Sequence, residues 1–164
     1  MIMIDTDMKT AQLKHQKGFT LIELLVVIGI LAVLLAITLI AINPARQFSQ
    51  ANNTKRSSDV NAILNAIGQY AADNKGTLPA GITTSALTIQ KSGTPANDAD
   101  ICAALVTQYM AALPVDPLTN NGTPITDCTA NYNTNYTVVR SASDNRITVT
   151  APAAELGQTI TVTR

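Results

Sequence analysis

From Leu24 to Ile42 the chain runs for 19 residues without a charge, and 14 of them are Leu, Ile or Val. A helix that is apolar all round does not belong to the ordinary core of a small soluble domain, so this run demands a membrane or an equally apolar surround. As an α-helix it covers about 28 Å, against roughly 30 Å for the hydrocarbon core of a bilayer. Glu23 stands directly at its start. At about −0.3 to −0.6 kcal/mol for each large aliphatic side chain, the run outweighs one acid at roughly +3 kcal/mol. The segment is therefore expected to insert with the carboxylate included.

Lys9, Lys14 and Lys17 precede the span, opposed by Asp5 and Asp7. The bias of basic residues toward the cytoplasm puts the N-terminus inside and everything after Asn43 outside. That outer part carries eight basic and eight acidic residues. Such a balance offers no basic stripe, and no specific nucleic acid is expected as a partner. Cys102 and Cys128 lie on the outer side, where a disulfide is favoured over a metal or redox site. It would close a 27-residue loop, worth roughly 3–4 kcal/mol by chain entropy. The alternative is a pair of unbonded, buried small side chains.

A signal peptide would have a shorter apolar core followed by a small-residue cleavage site, which this run lacks. A plain anchor has no use for an acid near its start, where ionisable groups are normally paired. If the chain were cut after Gly18, Phe19 would begin it with an ammonium four residues from Glu23. That ammonium would reach its own Glu23 or, better, the Glu23 of a neighbouring copy, which would set the axial register of one helix against the next.

These residues carry a resemblance. A basic leader ending in Lys17-Gly18, then Phe19-Thr20-Leu21-Ile22-Glu23-Leu24 and an immediate span, resembles the processing and assembly signature of type IV pilins and type II secretion pseudopilins. The resemblance implies a leader, residues 1–18, removed by a prepilin peptidase that cuts between Gly18 and Phe19 and methylates Phe19. It implies that Glu23 docks each incoming subunit, and that an assembly platform and its ATPase build a helical homo-oligomer. Many members carry a proline near the end of the span; Pro44 corresponds to it, somewhat further along, and a helix bend is expected there.

The fold expected is α+β: a long N-terminal helix, its 19–43 part apolar, packed through an amphipathic part on a small antiparallel sheet in a head of residues 44–164. Asn43-Pro44 reads as an N-cap followed by Pro in a first turn, or else as a kink in one long helix. In the helix expected over 44–75, Val60, Ile63, Leu64, Ile67, Tyr70 and Ala71 form the apolar stripe, with Lys55, Arg56, Asp59 and Asn65 off it. Gly76 suits the C′ position that ends the helix. A short strand is expected over 86–90, a helix over about 101–112 and strands over 132–140, 146–150 and 159–163. The last two share Ile-Thr-Val-Thr, the alternation of a half-buried antiparallel strand. Leu113-Pro114-Val115-Asp116-Pro117 with Asn120-Asn121-Gly122 resembles the loop before the sheet in major pseudopilins and related Gram-positive-type pilins. In major pseudopilins that region can bind calcium, for which the resemblance offers the oxygens of Asp116, Asn120, Asn121 and Asp127. The same residue types serve a tight loop's own backbone, and no metal is assigned.

The one histidine, His15, falls in the leader, so no Ser-His or Cys-His pair is available to the mature chain. Phosphate loops and zinc-spaced clusters are missing from the sequence. No enzyme and no cofactor are expected. What remains is a structural subunit of a type IV pilus filament, serving adhesion, motility or DNA uptake. The alternatives are a pseudopilin of a type II secretion-like machine and, less compatible with Glu23, a membrane-anchored module whose leader is fortuitous. The precursor is expected in the inner membrane with its head outside, and the assembled form at the cell surface. The intact mass of the mature protein should equal residues 19–164 plus one methyl group; filaments built from leader-bearing chains would contradict this.

Overall fold

The computed structural model describes residues 18–164. The leader expected over 1–18, with Lys9, Lys14, His15 and Lys17, lies outside the described residues except for Gly18. The chain divides between Asn43 and Pro44 into two units, each described by itself.

The first unit is α1, Leu21–Ile42. It is long and apolar enough to cross a membrane, and every one of its side chains is exposed. Asn43 closes it with a left-handed backbone (φ 47°, ψ 76°). An N-cap needs an extended backbone, so Asn43 is the C-cap of α1 rather than the N-cap expected for the next helix. Asparagine is among the few residues that enter the left-handed region readily. Pro44 then takes the first position of α2, Pro44–Asp73, where its missing N–H removes no helical bond.

Along α2 the buried side chains include Asn53, Arg56, Asp59, Val60, Ile63, Leu64 and Ile67. Arg56 is completely buried, against the expectation that it lies off the stripe with Asp59. Its position is four before Val60 and seven before Ile63, which is on the stripe by helical phase; only its charge argued otherwise. At the other end, the Gly76 amide donates to Ala71 O (2.8 Å), the six-to-one bond of a Schellman cap. The left-handed C′ residue is thus Lys75 (φ 55°), and the glycine sits one place later than expected.

The sheet follows the order β1-β2-β3-β4, all antiparallel, with β1 Leu87–Lys91, β2 Tyr132–Arg140, β3 Ile147–Ala151 and β4 Ile160–Thr163. The two Ile-Thr-Val-Thr runs pair with each other, Thr148 opposite Thr163 and Thr150 opposite Thr161. Their hydroxyls bond across the strands at 2.8 and 3.0 Å, while Val149 and Val162 turn to the core side. Between β1 and β2 the register slips. There Asn135 adopts φ 60° and Thr134 Oγ1 donates to Ile89 O (2.8 Å), leaving Thr134 and Tyr136 both buried.

The helix expected over 101–112 is a single turn, α3, Cys102–Leu105. Val106 leaves it extended, and Thr107 turns left-handed (φ 76°) to bond Met110 O (2.8 Å). Tertiary packing of Ile101, Leu105 and Leu113 into the core overrides the helix propensity of an Ala-, Leu- and Met-containing segment, propensity being the weaker determinant. A disulfide joins Cys102 to Cys128, with Cα atoms 5.4 Å apart.

The head is locked at its centre by charge. Arg56 Nε and Nη2 reach the two carboxylate oxygens of Asp116 (2.6 and 3.2 Å), while Nη1 donates to Glu155 Oε2 (2.7 Å) and Asn53 Oδ1 (3.0 Å). Asp116 is also completely buried. Its hydrogen bonds, with those of Glu155, push the Arg56 pKa still higher. Glu155 is held below the usual carboxylate range by Arg56, then Asn52 and Ser49. Next to it the Tyr136 hydroxyl donates to Asp59 (2.8 Å), and burial, then Asp59, raises its pKa. Removing one partner of a buried pair strands the other. Asp116→Ala should therefore lose about 3–5 kcal/mol in urea denaturation of the full chain in detergent, whereas Arg56→Met with Asp116→Leu should recover most of that loss. Equal losses in both variants would contradict the arrangement.

Candidate assembly site

The start of α1 is organised by residues of its own chain. Thr20 is the N-cap, with an extended backbone (φ −83°, ψ 152°). Its hydroxyl accepts from the Glu23 amide (3.3 Å), and Glu23 Oε2 in turn accepts from the Thr20 amide (2.8 Å) and hydroxyl (2.7 Å). This is a capping box, in which two otherwise unsatisfied backbone donors of the first turn find partners. The carboxylate also lies at the positive end of the helix dipole. Glu23 thus has a local partner before any neighbour is considered. The signature was present as Thr-x-x-Glu directly before the apolar run, yet Thr20 was not singled out from the sequence.

Gly18 and Phe19 precede the helix, and Phe19 is 86% exposed. In the uncut chain the Phe19 nitrogen is a peptide amide and carries no charge; only hydrolysis of the Gly18–Phe19 bond would make it an ammonium. The structure therefore gathers Gly18, Phe19, Thr20 and Glu23 within one helical start. Cys102 and Cys128 belong to the head, and Pro44 begins the second unit. Of the large apolar side chains left exposed among the described residues, all but Phe48, Leu118 and Leu156 belong to residues 19–42.

The loop weighed for calcium is organised otherwise. Both oxygens of Asp116 take bonds from Arg56, and Oδ1 takes one more from the Leu118 amide (2.9 Å). Asp127 Oδ1 accepts from the Thr129 hydroxyl and amide (2.6 and 2.8 Å), bonds that lower its pKa. Asn120 and Asn121 both take positive φ in a single 3-10 turn. The two acids are thus engaged by partners within the head. The pairing of Arg56 and Asn53 with Glu155 left no sequence signal, the partners being up to 102 residues apart.

Among known families, the prokaryotic N-terminal methylation motif matches residues 13–39. No curated protein and no solved structure matches the chain. If the capping box holds as described, Thr20→Val in the detergent-solubilised full chain should remove about 1 kcal/mol of cap. The Glu23 amide should then exchange with solvent roughly five-fold faster. An unchanged exchange rate would count against the box.

Proposed function

We propose that this chain, which carries the methylation motif typical of type IV pilins and type II secretion pseudopilins, is a structural subunit of a type IV pilus filament. The observation that carries the reading is α1: a 22-residue apolar helix with no buried side chain, introduced by one carboxylate. A surface of that kind is stable in lipid or against copies of itself. A peptidase cuts between Gly18 and Phe19 and methylates Phe19, and the span holds the precursor in the inner membrane with the head outside. The assembly platform and its ATPase then move the helix from lipid into the filament core. The protein acts by polymerising, with no catalytic step of its own.

Glu23 is the residue that distinguishes the two environments. In the precursor its carboxylate caps the helix through Thr20. After cleavage, the Phe19 ammonium of a neighbouring copy offers a charged partner where water is scarce. Such an interface pair supplies register and discrimination more dependably than net affinity, because desolvation offsets much of the attraction. Pro44 is the point at which the helix can bend during this transfer. The Leu113–Pro117 loop favours the second reading, a pseudopilin, in which the same polymer stays short inside a secretion machine. Filaments sheared from the cell surface with this chain as their main band would support the pilus; its confinement to the envelope would support the pseudopilus.

Glu23→Ala should give a correctly cleaved, membrane-held monomer with an intact head that assembles poorly. Glu23→Gln should be nearly as poor, since it keeps the shape and loses the charge. Co-expressed with wild type, each should be several-fold under-represented in sheared filaments relative to its share of the membrane. Wild-type length and number of Glu23→Ala filaments would remove the carboxylate from assembly.

A further inference from the structure

The head contains a cleft of about 710 Å³ between the C-terminal part of α2, the loop Gly76–Ile82 and the end of the sheet where β2 turns into β3. That volume lies within the roughly 300–1,000 Å³ of small-molecule sites. Leu64, Ile67, Leu78 and Ile147 give it an apolar lining, and Arg140 and Arg164 contribute the charge; no Asp or Glu side chain lines it. Arg164 donates to Asn65 Oδ1. Arg140 differs. Its Nε is buried and is the one buried side-chain nitrogen or oxygen among the described residues without a hydrogen-bond partner. The guanidinium also has no ion pair among the described residues. An unmatched donor of this kind is uncommon; because this Nε is sealed from solvent, a ligand in the cleft would meet the guanidinium through its terminal nitrogens.

The surroundings favour an anion. Two of the last carbonyls of α2, which would repel one, are already bonded: Tyr70 O accepts from the Asn74 amide (3.0 Å) and Ala71 O from the Gly76 amide (2.8 Å). Asp73, at the end of α2, bears on the Tyr109 hydroxyl, whose pKa burial and Asp73 raise. A guanidinium fork matches a carboxylate, and the apolar lining beside it rewards an attached hydrocarbon.

We propose that this cleft binds a small molecule in which a carboxylate is joined to an apolar group. Arg140 takes the carboxylate with Arg164 beside it, and the apolar part lies on Leu64, Ile67 and Ile147. The site is independent of how the chain assembles. The test uses the full chain in lipid nanodiscs with 3-phenylpropionate as probe, read by the arginine Nε–Hε resonances and the amides of Gly76–Ile82. The expected result is a saturable shift of Arg140 and of that loop, with 3-phenylpropionamide and acetate each at least ten-fold weaker. Arg140→Gln should weaken binding at least ten-fold without moving resonances elsewhere. Gly68→Leu provides a second variant: a Cβ at Gly68 meets nothing within 4 Å, so this side chain should fold normally and block the cleft by bulk. The proposal is overturned by shifts confined to α1, which signal partition into lipid. It is equally overturned by unsaturable shifts, by equal binding of the amide or of acetate, or by unchanged affinity in either variant.

Discussion

A helix that is exposed along its whole length and apolar in all but Glu23 and Thr38 must be covered by lipid or by other chains, and the function proposed for this protein rests on that requirement. At roughly 25 cal/mol for each Å² of apolar surface taken from water, no alternative to lipid or to other copies of α1 is tolerable. The head, taken by itself, gathers most of its apolar side chains into one core. What α1 needs beyond an apolar surround is a reason to prefer one axial position, since a smooth apolar cylinder slides without penalty. Glu23 supplies the one polar feature near its start, and the capping box with Thr20 keeps that carboxylate satisfied while no other copy is near.

The head answers a different problem. Its sheet is small and its C-terminal segment would be loose without an anchor. Arg56 acts as the anchor: from α2 it holds Asp116 in the loop before β2 and Glu155 in the loop before β4. Glu155 is further tied to Ser49 and Asn52. A buried ion pair is weak evidence for added stability, because hydrophobic replacements of the same shape often do as well. Its contribution is positional: it tolerates few alternative placements of the loops. The disulfide between Cys102 and Cys128 restrains the same stretch of chain from its other side.

The sequence revealed most where periodicity is strong. The apolar span, the stripe from Val60 to Ile67 and the alternating Ile-Thr-Val-Thr runs each repeat at the spacing of their element, and β2 runs from Tyr132 to Arg140 as the pattern required. It misled where one residue's chemistry was weighed above its phase. Arg56 fits the buried stripe by position, and its partners lie 60 and 99 residues away, beyond any local pattern. The region after Cys102 has helical spacing and good helix formers, yet packing into the core prevails over both. Lys75 took the left-handed place intended for Gly76, a shift of one residue that only cap geometry decides. Thr20 was legible and went unread.

The central claim is that cleavage replaces an internal cap with an intermolecular ion pair at the start of α1. It is tested most directly by solid-state NMR on filaments assembled from a mixture of two labelled populations. One carries ¹⁵N at the Phe19 amine and the other ¹³C at the Glu23 carboxyl, so that any contact between the labels must join different copies. A cross-peak corresponding to direct contact, with the amine charged, is the predicted result. Well-ordered filaments in which the two labels show contact only when placed within one copy would contradict it.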